Sequence, residues 1–314
     1  MRIKTGGEGA GLAAMAGCAV LWSLAGIFIK LVDWNPFAIA CGRSLIASAF
    51  LAAWIGKPKL TFSRVQVGAA LASAATMLLF IYANKATSSA NAILLQYSSP
   101  VYTTVIGLVL LKERPRAEQW VALAAVLGGM ALFFMDELGG GQLAGNLAAA
   151  ASGLSFALYI VLMRAQKEGS PLESALLAHL ATAAIALGVA LFLPAPRLTA
   201  RALGAMLGLG ILQISLATVL FSYGIKRITA VQSVLVAGLE PVLNPLWVFL
   251  ATGERPSART LAGGGVIIAA VLASSVITAR RDAAAARRAS ARQAEDEAGP
   301  APGTLGRGGE APGR

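Results

Sequence analysis

Glu240 is the one acidic residue that the sequence sets in the middle of an apolar run, AVQSVLVAGLEPVLNPLWVFLAT over residues 230–252. Pro241 follows it directly, and Asn244 and Pro245 come one helical turn later. An ionised side chain at the centre of a bilayer costs at least ~2.5 kcal/mol to insert. Two prolines four apart also withdraw two backbone donors and disturb the carbonyls one turn earlier. Such a segment is tolerated where it faces protein or water rather than lipid. The expectation is therefore the wall of a polar pocket inside a helical membrane bundle. There Glu240 could hold a substrate ammonium or carry a coupling proton. The plainer alternative is a buried acceptor bonded to a neighbouring helix.

Two other titratable groups fall inside apolar stretches. Arg43 lies seven residues after Pro36, so ~10 Å along a helix from that end. It could snorkel outward, pair with Glu240 or attract an anion, and snorkelling or pairing is the plainer role. His179, the only histidine, lies eight residues after Pro171; it is a candidate proton relay or a packed, hydrogen-bonded side chain. Arg43, His179 and Glu240 are thus the coupling candidates. Pro100, Pro241 and Pro245 are the hinge candidates, and Gln96 is the residue whose carbonyl Pro100 disturbs. Polar and aromatic residues near these points complete a substrate-binding set of Glu240, Asn244, Asn91, Gln96, Tyr97, Ser99, Trp22, Tyr82, Tyr159, Gln213 and Tyr223. Some of them must merely join helices, since such bonds contribute only ~0.6 kcal/mol on average. Cys18 and Cys41, the two cysteines, lie in apolar runs as packing residues. No metal site and no cofactor is expected.

The composition says what must position these groups. The 314 residues are 57% hydrophobic and 13% charged, with mean hydropathy +0.70. Soluble domains carry about 25% charged residues, so an all-α polytopic membrane protein is predicted. Ten apolar stretches can be counted, from residues 10–31 to 260–278. The surplus of base (net charge +11) sits at segment ends and in the tail, which favours anionic lipid as partner and no nucleic acid. Lys57, Lys59, Arg64, Lys112, Arg114, Arg116, Arg164, Lys167, Lys226 and Arg227 fall on one side of the membrane. Lys30, Lys85, Arg197, Arg201, Arg255 and Arg259 fall on the other. The richer side is cytoplasmic, which places both termini in the cytoplasm. Residues 280–314 hold almost no large apolar side chains and are expected to be a disordered tail.

A shift of 141 residues superposes two blocks. Tyr82, Lys85, Leu94, Pro100, Val101 and Glu113-Arg114-Pro115 fall on Tyr223, Lys226, Leu235, Pro241, Val242 and Glu254-Arg255-Pro256. A shift of 134 puts Trp22 on Phe156 and Lys30 on Arg164. The predicted organisation is a short N-terminus (1–9), a five-helix repeat (10–135), a linker (136–142), a second five-helix repeat (143–279) and the tail (280–314). Five spans is an odd number, so the second repeat must run inverted, as in many secondary transporters. The Glu-Arg-Pro triplets look like a site but suit helix starts, with proline in the first turn and an acid at the positive dipole end. The small-residue spacings Gly204/Gly208 and Gly263/Ile267 would allow close helix approach but fix no oligomer, and a homodimer stays an open expectation.

The stretches WSLAGIFIK, YANKATSSANAILLQYSSPVYTTVIGLVLLKERP and YGIKRITAVQSVLVAGLEPVLNPLWVFLATGERP resemble the EamA-type members of the drug/metabolite transporter superfamily. The resemblance covers residues 11–279 and departs at Lys112, where the second copy has Gly253. It implies ten transmembrane helices as two inverted five-helix repeats in the cytoplasmic (inner) membrane of a bacterium. It further implies a secondary active carrier, often an exporter of metabolites or amino acids, working by alternating access and open to proton coupling. Alternatives of other classes are an intramembrane enzyme and a passive channel. No GxxxxGK[ST] or HExxH motif occurs, which leaves ATP-driven pumping and zinc proteolysis unsupported.

Overall fold

The computed structural model of the chain describes residues 6–298 apart from 88, 136–142, 168 and 253–256. Helices α1 (Gly6–Ser23) and α2 (Ala25–Lys30) form one path bent at Leu24, followed by α3 (Pro36–Ile55) and α4 (Arg64–Ala86). Next come α5 (Ser89–Gln96) and α6 (Ser99–Ile106), which continues into a π-helical segment, Gly107–Leu111, and then α7 (Ala117–Phe134). The second set starts with α8 (Leu143–Ala165) and α9 (Pro171–Ala190). It goes on with α10 (Ala200–Leu207), a longer π-helical segment (Gly208–Leu216) and α11 (Ala217–Ile225). The last elements are α12 (Ala230–Ala237), α13 (Leu239–Thr252) and α14 (Ala258–Ala298). No strand occurs among the described residues.

Local chemistry sets many of the starts. Asn35 accepts from the Ala38 amide at 2.8 Å with Pro36 in the first helical position of α3. Ser63 caps α4 through Gln66, and Thr199 caps α10 through Ala202. Thr229 and Gln232 form a reciprocal capping box at α12. Each such cap contributes ~1 kcal/mol.

Eight helices among the described residues are long and apolar enough to cross a membrane, and two shorter apolar helices are present (Ala117–Leu132 and Ala230–Leu243). The protein is an all-helical, multi-pass membrane protein. Its outer surface carries Trp54, Leu71, Val109, Val121, Leu147 and Leu250, all more than half exposed, a surface that hydrocarbon covers at no cost. Inside, α4 packs on α8 and α9, α3 on α9, α1 on α11, and α7 on α14. The main core collects Met15, Ile160, Met163, Phe221, Ile225 and Leu235.

Two expectations are corrected. The helix α14 does not stop at the membrane but runs on to Ala298, so residues 280–298 are helical rather than disordered. Its 41 residues extend ~60 Å, about twice a bilayer's hydrocarbon thickness, and alanine, the best helix former, fills much of the extension. Arg281 from that extension meets Glu118 of α7 at 2.8 Å. Secondly, Pro115 does not open α7, which starts two residues later, and Glu113 caps a different helix: its Oε2 accepts from the amide of Ala230, the first residue of α12, at 3.0 Å. The close approach expected at Gly208 and Gly263 is present, to neighbours in the same chain. A Cβ on Gly208 would lie 2.6 Å from the Phe28 ring, and one on Gly129 3.0 Å from the Gly263 carbonyl. The linker 136–142, the second triplet Glu254-Arg255-Pro256 and residues 299–314 lie outside the described residues.

Candidate functional site

Two apolar stretches are each divided near the middle. The first breaks at Tyr97–Ser98, between α5 and α6, and the second at Gly238, between α12 and α13. Tyr97 and Gly238 are 141 residues apart, the offset of the internal repeat. Ser98 (φ −70°, ψ −10°) and Gly238 (φ −58°, ψ −10°) stay in the right-handed region, so each break bends the path without unwinding it. Pro100 and Pro241 fall in the first turns of α6 and α13, where a missing N–H costs nothing.

The two breaks meet. The Tyr97 hydroxyl donates to Glu240 Oε2 at 3.3 Å. Glu240 is the second residue of α13, at the positive end of that half-helix, where a carboxylate is favoured. It is half-buried. Trp247, seven residues or two turns along the same face of α13, donates from Nε1 to Ser23 Oγ at 2.7 Å, at the bend between α1 and α2. Beside this contact stands an aromatic group. Tyr159 stacks on Phe221 with centroids 5.8 Å apart, and Trp22 lies 5.7 Å from Phe221 and 6.3 Å from Phe156. Trp22, Tyr97 and Tyr159 are all half-buried, and all three pack against the main core.

Gln96 takes a different part from the one its position suggests. Its side chain donates to Ser152 Oγ at 2.8 Å, and Ser152 in turn donates to the Thr76 carbonyl at 2.9 Å. Its own carbonyl, freed by Pro100, is covered by Gly153 of α8: a Cβ there would lie 2.6 Å from the Gln96 oxygen. This carbonyl is thus packed against a helix. Ser99 is buried at the start of α6, and Gln213 is buried in the π-helical segment with Oε1 unpartnered.

Arg43 is buried on α3, its Nη2 directed at Met77 Sδ and its Nε without a partner. It interacts electrostatically with Glu240 and with His179 but forms an ion pair with neither. His179 Nε2 lies 3.4 Å from Thr218 Oγ1. Tyr82 and Tyr223 are not brought to the Glu240 cluster. Tyr82 is 53% exposed; Tyr223 is 43% exposed, with the Arg227 guanidinium 3.4 Å over its ring. The side chains of Asn91, Asn244 and Pro245 lie outside the described residues.

Several partners had no sequence signal strong enough to single them out. Ser23, Ser152 and Thr218 are ordinary small polar residues, and Met77 reads as core. Trp247 could have been found, because seven residues from Glu240 is two helical turns on one face. Arg164 was visible only as a charge at a segment end. It is in fact buried, donating from Nε to Glu113 Oε1 at 2.8 Å and from Nη1 to the Ile225 carbonyl at 2.8 Å.

The model of the EamA-like transporter family matches twice, over residues 9–135 and 143–276. An uncharacterized transporter of Archaeoglobus fulgidus is 30% identical over 263 residues, which is 81% of this chain and 92% of the relative. The uncharacterized transporter YwfM of Bacillus subtilis is 28% identical over 263 residues, 78% of this chain and 86% of the relative. A solved crystal structure superposes with a TM-score of 0.75 over 87% of this chain and 99% of its own length, at 22% identity, a likeness of fold.

Proposed function

The chain belongs to the EamA-like transporter family, and from that premise we propose that it is a secondary active exporter of a small polar or amphipathic metabolite, such as an amino acid. The reading takes the ten apolar stretches as ten crossings in two inverted five-helix repeats, in a cytoplasmic membrane with both termini inside. The double family match and the 141-residue offset between the helix breaks support it. Alternating access then consists of the two repeats rocking about the point where their broken helices touch.

The observation that carries this reading is the Tyr97–Glu240 contact, an acid from one repeat held by a phenol from the other. A carboxylate shared between two moving halves can report substrate or proton occupancy to both. Glu240 is the coupling group, and the Trp22, Tyr97 and Tyr159 faces hold the organic part of the substrate. His179, bonded to a hydroxyl, is available as a relay; Pro100 and Pro241 mark where the helices pivot.

A thermal-shift screen of the purified protein against polar metabolites, followed by counterflow of each stabilising compound in proteoliposomes, tests the proposal. Saturable uptake accelerated by internal unlabelled compound supports a carrier. Non-saturable flux means a channel, and chemical conversion without translocation means an enzyme.

A further inference from the structure

The guanidinium of Arg43 is held in the protein with nothing of opposite charge against it. Arg43 is only 9% exposed. Among the described residues no carboxylate stands within ion-pair distance of it, unlike the buried Arg164, which pairs with Glu113. Glu240 spends its hydrogen bond on Tyr97 instead. The one polar partner of Arg43 is the thioether of Met77, a weak acceptor, and Nε has none. An arginine head buried without an anion is strongly unfavourable. Snorkelling leaves it no better served, because the Nε is sequestered from solvent as well.

Other buried polar atoms on α3 and on the segment packed against it lack partners too. The hydroxyls of Ser44 and Ser48, on the same helix, are buried and unbonded. The π-helical segment that carries the unpartnered Gln213 Oε1 packs against α3 one turn beyond Arg43, where a Cβ on Gly210 would lie 2.4 Å from Ile46 Cγ2. Unfilled donors and acceptors of this kind are what a polar ligand would complete.

We propose that Arg43 is the anion anchor of the transport site, taking the carboxylate of the substrate on its planar fork while the aromatic lining holds the rest. This rests on the carrier reading above and narrows it to carboxylate-bearing compounds. The guanidinium fork offers two parallel N–H donors that match a carboxylate's two oxygens, which a lysine could not do. Glu240, within electrostatic reach but not paired, leaves the guanidinium with only the weak thioether acceptor of Met77.

Two measurements on the full-length protein in detergent test the assignment. The first needs no substrate: Arg43→Met should melt at or above the wild-type temperature, because removing an unpaired buried charge relieves a cost. A melting point several degrees below wild type makes Arg43 a structural strut and overturns the proposal. The second titrates 3-phenylpropionate, an aryl carboxylate, against its uncharged amide by thermal shift and tryptophan fluorescence. The wild type should respond to the acid and not the amide, and Arg43→Met should weaken the acid's apparent affinity at least tenfold. Equal responses of the wild type to acid and amide, no response to the acid, or unchanged affinity in Arg43→Met would each overturn it. Failure of the carrier reading is distinguishable, because it appears as absent counterflow in proteoliposomes with acid binding intact.

Discussion

The Tyr97 hydroxyl lies 3.3 Å from Glu240 Oε2, and this bond links two helix breaks set 141 residues apart in the chain. A bend in one apolar stretch is common in membrane helices. Two breaks 141 residues apart, joined through the mid-stretch acid, are the basis on which we propose a pivot.

Tyr97→Phe keeps the ring and removes only the donor. A hydrogen bond to a charged acceptor contributes ~1.5–3 kcal/mol, so counterflow should fall about tenfold or more by the same principle. The melting temperature should fall only by what that one bond contributes, since the ring of Tyr97 remains packed on the core. Unchanged counterflow in Tyr97→Phe would show that the bond is incidental.

The Arg164–Glu113 pair ties the two halves at one end of the bundle, with Arg164 nearly inaccessible (side chain 4% exposed). Breaking a buried pair by removing one partner costs ~3–5 kcal/mol, because the other charge stays behind. Arg164→Leu should therefore unfold at markedly lower denaturant. Adding Glu113→Leu should recover part of the loss, though not the cap on Ala230. A single mutant as stable as wild type, measured by denaturant unfolding in detergent, would contradict the pairing.

Lys112 ends the first π-helical segment in the left-handed region, at φ 55° and ψ 24°. A residue with a Cβ pays about 1–2 kcal/mol there, and the matching position of the second copy is Gly253. Lys112→Gly should raise stability by ~1 kcal/mol, less the extra backbone entropy of glycine. A fall in stability would mean that the lysine side chain has a role of its own.

Gly153 is the reverse case. Its missing Cβ lets α8 approach the carbonyl freed by Pro100, and Gly153→Val would drive a side chain to 2.6 Å from that oxygen. Backbone must shift, so a loss of ~1–3 kcal/mol follows, read as lower expression and melting temperature.

Much of this organisation was legible before the coordinates, and for identifiable reasons. Glu240, Pro100 and Pro241 stood out because charge and proline are costly inside apolar helices. The offset between copies located both breaks. What stayed hidden depended on side-chain direction. Sequence spacing could not tell that Tyr223 turns to Arg227, that Gln96 serves Ser152, or that Glu113 caps a helix 117 positions away. The tail was misread because its composition lacks a core. A polar, alanine-rich helix needs none, since it continues a helix already nucleated in the bundle.

Accumulation of the same stabilising compound driven by an imposed proton gradient in proteoliposomes, by Glu240→Gln beside wild type, decides whether Glu240 couples transport. The amide keeps the size of the side chain and can still accept from Tyr97, but it holds no charge and carries no proton. The account predicts a folded mutant, reconstituted at wild-type level, whose driven accumulation is lost. Accumulation at the wild-type rate and extent in Glu240→Gln would contradict it.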